Sequence, residues 1–364
     1  MKRIFALLVC IIMVMSLFSG CGPKQAETQG TADPSAPSSG ETYTWRLAHE
    51  EIDGSVQDVY AKKFKEILEK KSNGRIRIDI YPVGQIGDAT QQAELLQTKG
   101  IEFAIVSPGN TGTIVPENQL FSLHFLFSDD MDKNAEIFKT SKALNETLSQ
   151  IYLNKNIKVL AYWTEGAMQW TTDREVNTPE KWRGLKMRTM SSPMIVAAYE
   201  AYGANPTPVP YMEVYSGLQL KMIEGQENPL FAIEEMKFYE VQKYLTLASS
   251  NLFVTTTACN PDFFNSMPAD IQKMITDTVE EMRDESFAIQ ADLNGSALDK
   301  IKEQSNITVA ELTPEERELF RAASKAAYDK YVQMVGPKGK EILEQLQAEV
   351  KVIEEKYSEF NGSI

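Results

Sequence analysis

An arginine at a strand end and an asparagine ahead of a proline are the side chains in this sequence best suited to hold a small anion. Arg188 closes the strand-like run 185–188, which follows a turn glycine, Gly184. A side chain at a strand end can enter a cleft between elements. A guanidinium there can grip a carboxylate through two parallel N–H···O bonds; the alternative is a structural arginine at the surface. Asn228 precedes Pro229, which fixes the local backbone. Its amide can donate to an anion while accepting from a hydroxyl, or it can simply make an Asn-Pro turn.

Catalytic constellations are missing by comparison. The sequence has no G-x-S-x-G elbow, no phosphate loop of the P-loop type and no H-E-x-x-H zinc motif. Its two histidines, His49 and His124, have no Cys/His cluster beside them. Carboxylates are plentiful, so counting does not exclude a paired-acid glycosidase, but most lie among lysines on helix faces. Binding is the economical class, with a secreted hydrolase as its rival.

The elements that must position these residues alternate along the chain. Strand patterns cover 44–48, 75–81, 103–106 and 158–163, and helical patterns cover 56–69, 89–98, 133–138 and 142–153. That order predicts an α/β lobe with a largely parallel sheet. After Thr178 the alternation restarts, with a strand at 185–188, a helix at 193–202, a proline-punctuated loop at 205–210 and a helix at 212–223. Ile271, Met274, Ile275, Val279 and Met282 mark one face of a long helix, and two more helices are expected at 314–334 and 338–357.

The N-terminus bears on compartment. Lys2 and Arg3 precede an apolar run, 4–18, then Ser19, Gly20 and Cys21. This is the layout of a secretory signal, and the run is shorter than the roughly 20 residues a spanning helix needs. Its ending, L-F-S-G-C, resembles a bacterial lipobox, which would make Cys21 the lipid-modified first residue of the mature protein. Residues 22–42 are rich in Gly, Pro, Ser, Thr and Ala, a composition that forms a flexible tether spanning on the order of 25 Å. The expected division is therefore a signal at 1–20, a lipid-anchored linker at 21–42 and a folded body beyond.

The chain of 364 residues carries a formal charge of −14 and no basic cluster, which argues against a nucleic-acid partner. After removal of the signal the body is long enough for two lobes. Cys10 and Cys21 lie at the N-terminus, leaving Cys259 alone. No disulfide can form within the body, and Cys259 reads as a small core residue.

Three segments with matching spacing carry more. G-L-K-M-R-T (184–189), Y-G-A-N-P-T-P-V-P-Y-M-E-V-Y-S-G-L-Q (202–219) and E-G-Q-E-N-P-L (224–230) closely resemble the DctP-type solute-binding receptors of tripartite ATP-independent periplasmic (TRAP) transporters. Y-P-V-G-Q-I-G-D (81–88) and F-Y-E-V-Q-K-Y (238–244) extend the resemblance to nearly everything from Thr44 onward. It implies an α/β, two-lobed periplasmic-binding-protein-like fold with the ligand cleft between lobes and a long connecting helix. Lobe I would comprise about 43–171 with 254–293, and lobe II about 172–253 with 294–364. Arg188 would be the carboxylate-clamping arginine and Asn228 the pocket asparagine. Tyr211 would line the pocket or serve as a core tyrosine, and His49 would face the cleft or pack inside, with His49 or its neighbours supplying the second lobe's share of the contact. Gln169 stands where the family usually carries a second arginine, which weakens a two-arginine clamp. The ligand is thus left open among monocarboxylates, sugar acids and C4-dicarboxylates. Arg174 falls outside the pattern. The implied function is an extracytoplasmic receptor, not an enzyme and without a cofactor, that binds a small organic acid and delivers it to TRAP membrane subunits. A sensing module for a membrane signalling receptor would use the same chemistry.

Overall fold

The computed structural model describes residues 41–361, with side chains described through Ser358. The expected signal, Cys21 and nearly all of the linker lie outside the described residues. Eleven strands follow in order: β1 (Tyr43–His49), β2 (Ile76–Tyr81), β3 (Phe103–Val106), β4 (Lys158–Ala167), β5 (Gln169–Thr172) and β6 (Lys186–Thr189). Then come β7 (Asn205–Pro208), β8 (Gly225–Asn228), β9 (Tyr244–Leu247), β10 (Leu252–Cys259) and β11 (Thr308–Glu311).

They form two sheets. One has the order β2-β1-β3-β10-β4, the other β11-β9-β5-β8-β6-β7. The first is parallel apart from β10, which returns late in the chain and runs antiparallel to both β3 and β4. The segment 205–210, expected as a loop, instead contributes β7, paired in parallel with β6. Its prolines fit because β7 is an edge strand, where missing N–H donors leave no gap in the ladder. Only Met168 separates β4 from β5, and four residues separate β9 from β10. Two adjacent crossings therefore join the sheets.

Local sequence explains the elements around the first sheet. In β1, Trp45, Leu47 and His49 alternate onto the buried face. Ser55 caps the helix Val56–Lys71, accepting from Asp58 N at 3.2 Å. Val56, Tyr60, Phe64 and Leu68 follow at four-residue spacing and are fully buried. Tyr60 stacks on Trp163 of β4 with centroids 4.4 Å apart. Thr257 of β10 joins them, donating to the Tyr60 hydroxyl at 2.8 Å and accepting from Trp163 Nε1 at 3.1 Å. The second sheet has its own aromatic core, where Trp170, Trp182, Tyr202 and Phe320 meet.

Two long helices bridge the cores. Ala269–Gln304 buries Ile271, Ile275, Val279 and Met282 in the first core and Ile301 against β9 residues of the second sheet. The helix Pro314–Asn361 starts on the second core with Phe320 and ends on the first sheet's other face with Tyr331, Ile342 and Leu346. Its path breaks at Gly336, with φ 69° and ψ −159°, followed by Pro337. That conformation is essentially restricted to glycine. A Cβ at Gly336 would meet nothing within 4 Å, so the penalty for a side chain there is purely backbone. Gly336→Ala should cost about 1–3 kcal/mol in urea unfolding. Gly295→Ala, at an exposed helical glycine with equally open surroundings, should instead stabilise by about 0.5–1 kcal/mol.

Candidate functional site

Arg188 is the third residue of β6 and is only 5% exposed. Its Nε donates to the Val209 carbonyl at 3.0 Å, and Val209 N bonds back to Thr189 at 3.1 Å. The proline-flanked segment 208–210 thus braces the guanidinium from one side. Among the described residues only Nε has a protein acceptor, so the outer nitrogens are available to the cavity of about 350 Å³ that Arg188 lines. Burial pulls the guanidinium down to about 10, with Tyr211 and Glu227 acting the other way, and it stays cationic at neutral pH. Glu227, one strand over in β8, accepts from the Tyr199 hydroxyl. Burial pushes its carboxyl up to about 7, opposed by that hydrogen bond and by Arg188.

Asn228 ends β8 and lines the same cavity. Its Nδ2 donates to Gln226 Oε1, and Gln226 in turn donates to Thr171 at 3.0 Å. The amide is held in place with one N–H and its carbonyl oxygen to spare. Tyr211 opens the short helical turn after the proline segment, lines the cavity, and donates to Glu235 Oε1 at 3.2 Å.

The opposite wall comes from the first sheet. Glu50 and Glu51 follow β1 directly, and the loop 82–88 packs on them through Val83 N to Glu51 O at 3.0 Å. Gly84 and Gly87 take φ of 86° and 133°, values that L side chains rarely adopt, and their bond of 2.9 Å closes the turn. Asp88 then caps the next helix in a reciprocal capping box with Gln91. Glu50 accepts from Ser107 N at 3.1 Å through Oε1, and burial pushes its carboxyl up to about 8. Phe253 of β10 lines the cavity between the two walls.

The cavity is therefore electrically lopsided. Arg188 is its one cationic side chain among the described residues, facing Glu50, Glu51, Asp88 and Glu213. The structure brings together Arg188, Asn228 and Tyr211. His49 lies behind this wall, wholly buried, with Nε2 3.6 Å from Asp58 Oδ1. Gln169 is opposite Asn228 in the ladder, but its amide is occupied by Ser249 N at 3.0 Å and Ser249 Oγ at 3.2 Å. It lines a separate cavity that also contains Leu312 and Arg317. Arg174 is held outside both, donating to the Arg183 carbonyl at 2.8 Å.

Residues 47–334 match the bacterial extracellular solute-binding proteins, family 7. The chain belongs to this family. The ectoine-binding periplasmic protein TeaA of Halomonas elongata is 36% identical over 311 residues, covering 85% of this chain and 91% of that protein. The ectoine/5-hydroxyectoine-binding periplasmic protein UehA of Ruegeria pomeroyi is 37% identical over 308 residues, covering 84% and 90%. The solved Halomonas elongata protein superposes with a TM-score of 0.83, over 85% of this chain and all (100%) of that one, at 36% identity. A TRAP periplasmic solute-binding protein from Desulfovibrio salexigens with bound orotic acid gives 0.82 at 27% identity, covering 86% and 100%.

A family 7 protein is a solute receptor rather than an enzyme, so the hydrolase alternative falls, and the two-lobed α/β architecture is the family's own. Within that frame the acidic character of the second wall is what the sequence reasoning missed. It assigned that wall to His49 or its neighbours without singling out Glu50 and Glu51, which line the cavity where His49 does not. The signal was available: Trp45, Leu47 and His49 share one strand face, and the first two are apolar.

Three of these carboxyls make stability depend on pH. Burial raises Glu50 to about 8, Glu227 to about 7 and Glu235 to about 9, with Glu51 adding to the rise of Glu50 and Glu235. The unfolded chain loses these protons near the ordinary carboxylate value while the folded chain keeps them. Their stabilising share is complete below that value and is lost as pH rises through the folded values. The urea midpoint of the solute-free protein should fall between pH 5.5 and 8. Glu227→Gln, which can still accept from Tyr199, should flatten that fall.

Proposed function

We propose that this receptor binds a small organic carboxylate carrying a cationic or donor-rich group at its other end, and delivers it to TRAP membrane subunits. One observation carries the reading: a single buried guanidinium faces a wall of carboxyls across one cavity. Arg188 would take the solute carboxylate, with Asn228 beside it and Tyr211 along the solute's flank. The far end would lie against Glu50 and Glu51. A C4-dicarboxylate would set its second carboxylate against that wall with no cation to meet it, since Gln169 supplies none. A zwitterion of the ectoine type fits both ends, in keeping with what TeaA and UehA bind.

Because the two walls come from different sheets, a solute that touches both favours a closed arrangement by its differential affinity. The lobes would move roughly as the parts expected from the sequence, about 43–171 with 254–293 against about 172–253 with the residues after 294, except that the C-terminal half of Pro314–Asn361 would move with the first sheet, on which Tyr331, Ile342 and Leu346 pack. The membrane delivery step rests on the family and on the TRAP transporters named for its solved members. His49 acts from behind the wall, through Asp58. Tethering through a lipid on Cys21 supports the same role, keeping the receptor near the membrane outside the cytoplasm. Mass spectrometry of the native protein should find the mature chain beginning at a diacylglyceryl Cys21. An unmodified start beyond residue 21 on a freely soluble protein rejects the anchor.

A thermal-shift panel of ectoine, orotate, sugar acids and dicarboxylates identifies the solute, since about 100 times the Kd adds roughly 2.7 kcal/mol of stability. Calorimetry with the best solute then tests the clamp. Arg188→Lys keeps charge but loses the planar fork. With charge-assisted bonds at about 1.5–3 kcal/mol each, affinity should drop roughly 10- to 100-fold. Arg188→Ala should bind more weakly still, and Arg174→Ala should bind normally. Near-normal affinity in Arg188→Ala would put the clamp elsewhere.

A further inference from the structure

Behind the acidic wall, carboxyls from separate elements converge. Glu50 and Glu51 follow β1, Glu165 belongs to β4, and Glu235 ends the helix Leu230–Glu235. Gln57 knits the first three. Its Oε1 accepts from Glu50 N at 2.8 Å, its N donates to Glu51 Oε2 at 3.3 Å, and its Nε2 donates to Glu165 Oε1 at 2.7 Å. Glu165 is 0% exposed and Glu50 4%, yet Oε2 of each meets no donor. After burial, the nearby Glu51 carboxyl is the largest influence raising that of Glu165.

The surrounding groups do not neutralise this cluster. Lys62, on the same helix as Gln57, is bound to Asp58 at 2.6 Å, and Asp58 also faces His49. From the loop after β3, Ser107 and Asn110 offer Glu50 only neutral donors. Asn294 of the long helix donates to the Glu165 backbone carbonyl at 2.8 Å, not to its carboxyl. On the other side Tyr211 meets Glu235, while Glu234 pairs with Lys300 at 3.6 Å. A buried carboxyl with no cation takes up a proton rather than remain charged.

We propose that this cluster holds protons in the solute-free receptor and releases one when a solute's cationic centre docks against Glu50 and Glu51, so that solute capture is coupled to proton release. The O–H bond breaks heterolytically, the proton goes to water or buffer, and the electron pair stays on the carboxylate that now faces the cation. Burial raises Glu50 to about 8 and holds Glu165 well above the ordinary carboxylate range, so the protons are present at neutral pH. A cation lowers those values, and affinity therefore rises with pH.

The inference rests on the dipolar-solute reading, and one experiment separates the two. Ectoine is titrated into the protein at pH 7 in phosphate and in Tris, buffers of different ionisation enthalpy, and affinity is followed from pH 6 to 8. The expected result is a heat that differs between buffers by about one released proton, with affinity rising by up to about tenfold per pH unit. Glu165→Gln should reduce the released fraction. Equal heats in both buffers, or proton uptake, with ectoine bound normally would overturn the coupling and leave the solute reading intact. Binding of succinate but not ectoine would overturn both. Should Glu165→Gln fail to fold, the two-buffer comparison on the unsubstituted chain decides alone.

Discussion

A guanidinium that is 5% exposed and bound to one carbonyl is the constraint on which the rest of this structure turns. Charge taken out of water must be matched by an anion or by several acceptors. Glu227 lies near enough to favour the charged form of Arg188, but it is shared with Tyr199 and is itself pushed toward neutrality by burial. The balance is incomplete, because only Nε has a protein acceptor among the described residues. Under the proposed function, a solute carboxylate there would supply an interaction the protein withholds from itself, and a receptor so built gains affinity without first breaking an internal ion pair.

The fold supplies what this arrangement needs, namely two walls that are rigid separately and joined narrowly. Each sheet has its own aromatic cluster, Tyr60 on Trp163 in one and Trp170 with Trp182 and Phe320 in the other. Close packing of such large rings resists deformation within a wall. Between the sheets the strand connections are short, Met168 on one path and four residues on the other. Phe253 stands beside one of these crossings and also lines the cavity. Any relative rotation of the walls must be absorbed at those few residues and along the two long helices that bridge the cores, while the cores that hold Arg188 and Glu50 move as units.

Much of this was legible in the sequence, for reasons that differ by residue. The strands β1 to β4 announce themselves because they are long or wholly apolar and alternate with capped helices, as Ser55 and Asp88 illustrate. Strands β5, β8, β9 and β11 are four residues each, and β8 reads G-Q-E-N. Such a segment has no apolar period to detect, and only its neighbours in the ladder make it a strand. Arg188, Asn228 and Tyr211 stood out through the motif and share a cavity. Gln169 was chosen by position within a pattern, and position could not reveal that Ser249, 80 residues away, occupies its amide. Glu50 and Glu51 fell among the neighbours of His49, but abundant carboxylates elsewhere read as surface charge, and only the structure shows that these two are buried and line the cavity.

The two walls also answer different questions about a solute. The arginine wall is preset, since its cation survives across the whole ordinary pH range even after burial lowers it to about 10. The carboxyl wall is conditional, since burial raises Glu50 to about 8 and Glu165 well above the ordinary range, so a compensating cation would favour their charged forms. A solute with a carboxylate alone satisfies the first wall and leaves the second neutral. A solute with both charges can use the full Coulombic gain, but must displace protons to obtain it. On the proposed reading, discrimination between these classes would come from the acidic side of the cavity, while the affinity common to all organic acids would come from Arg188.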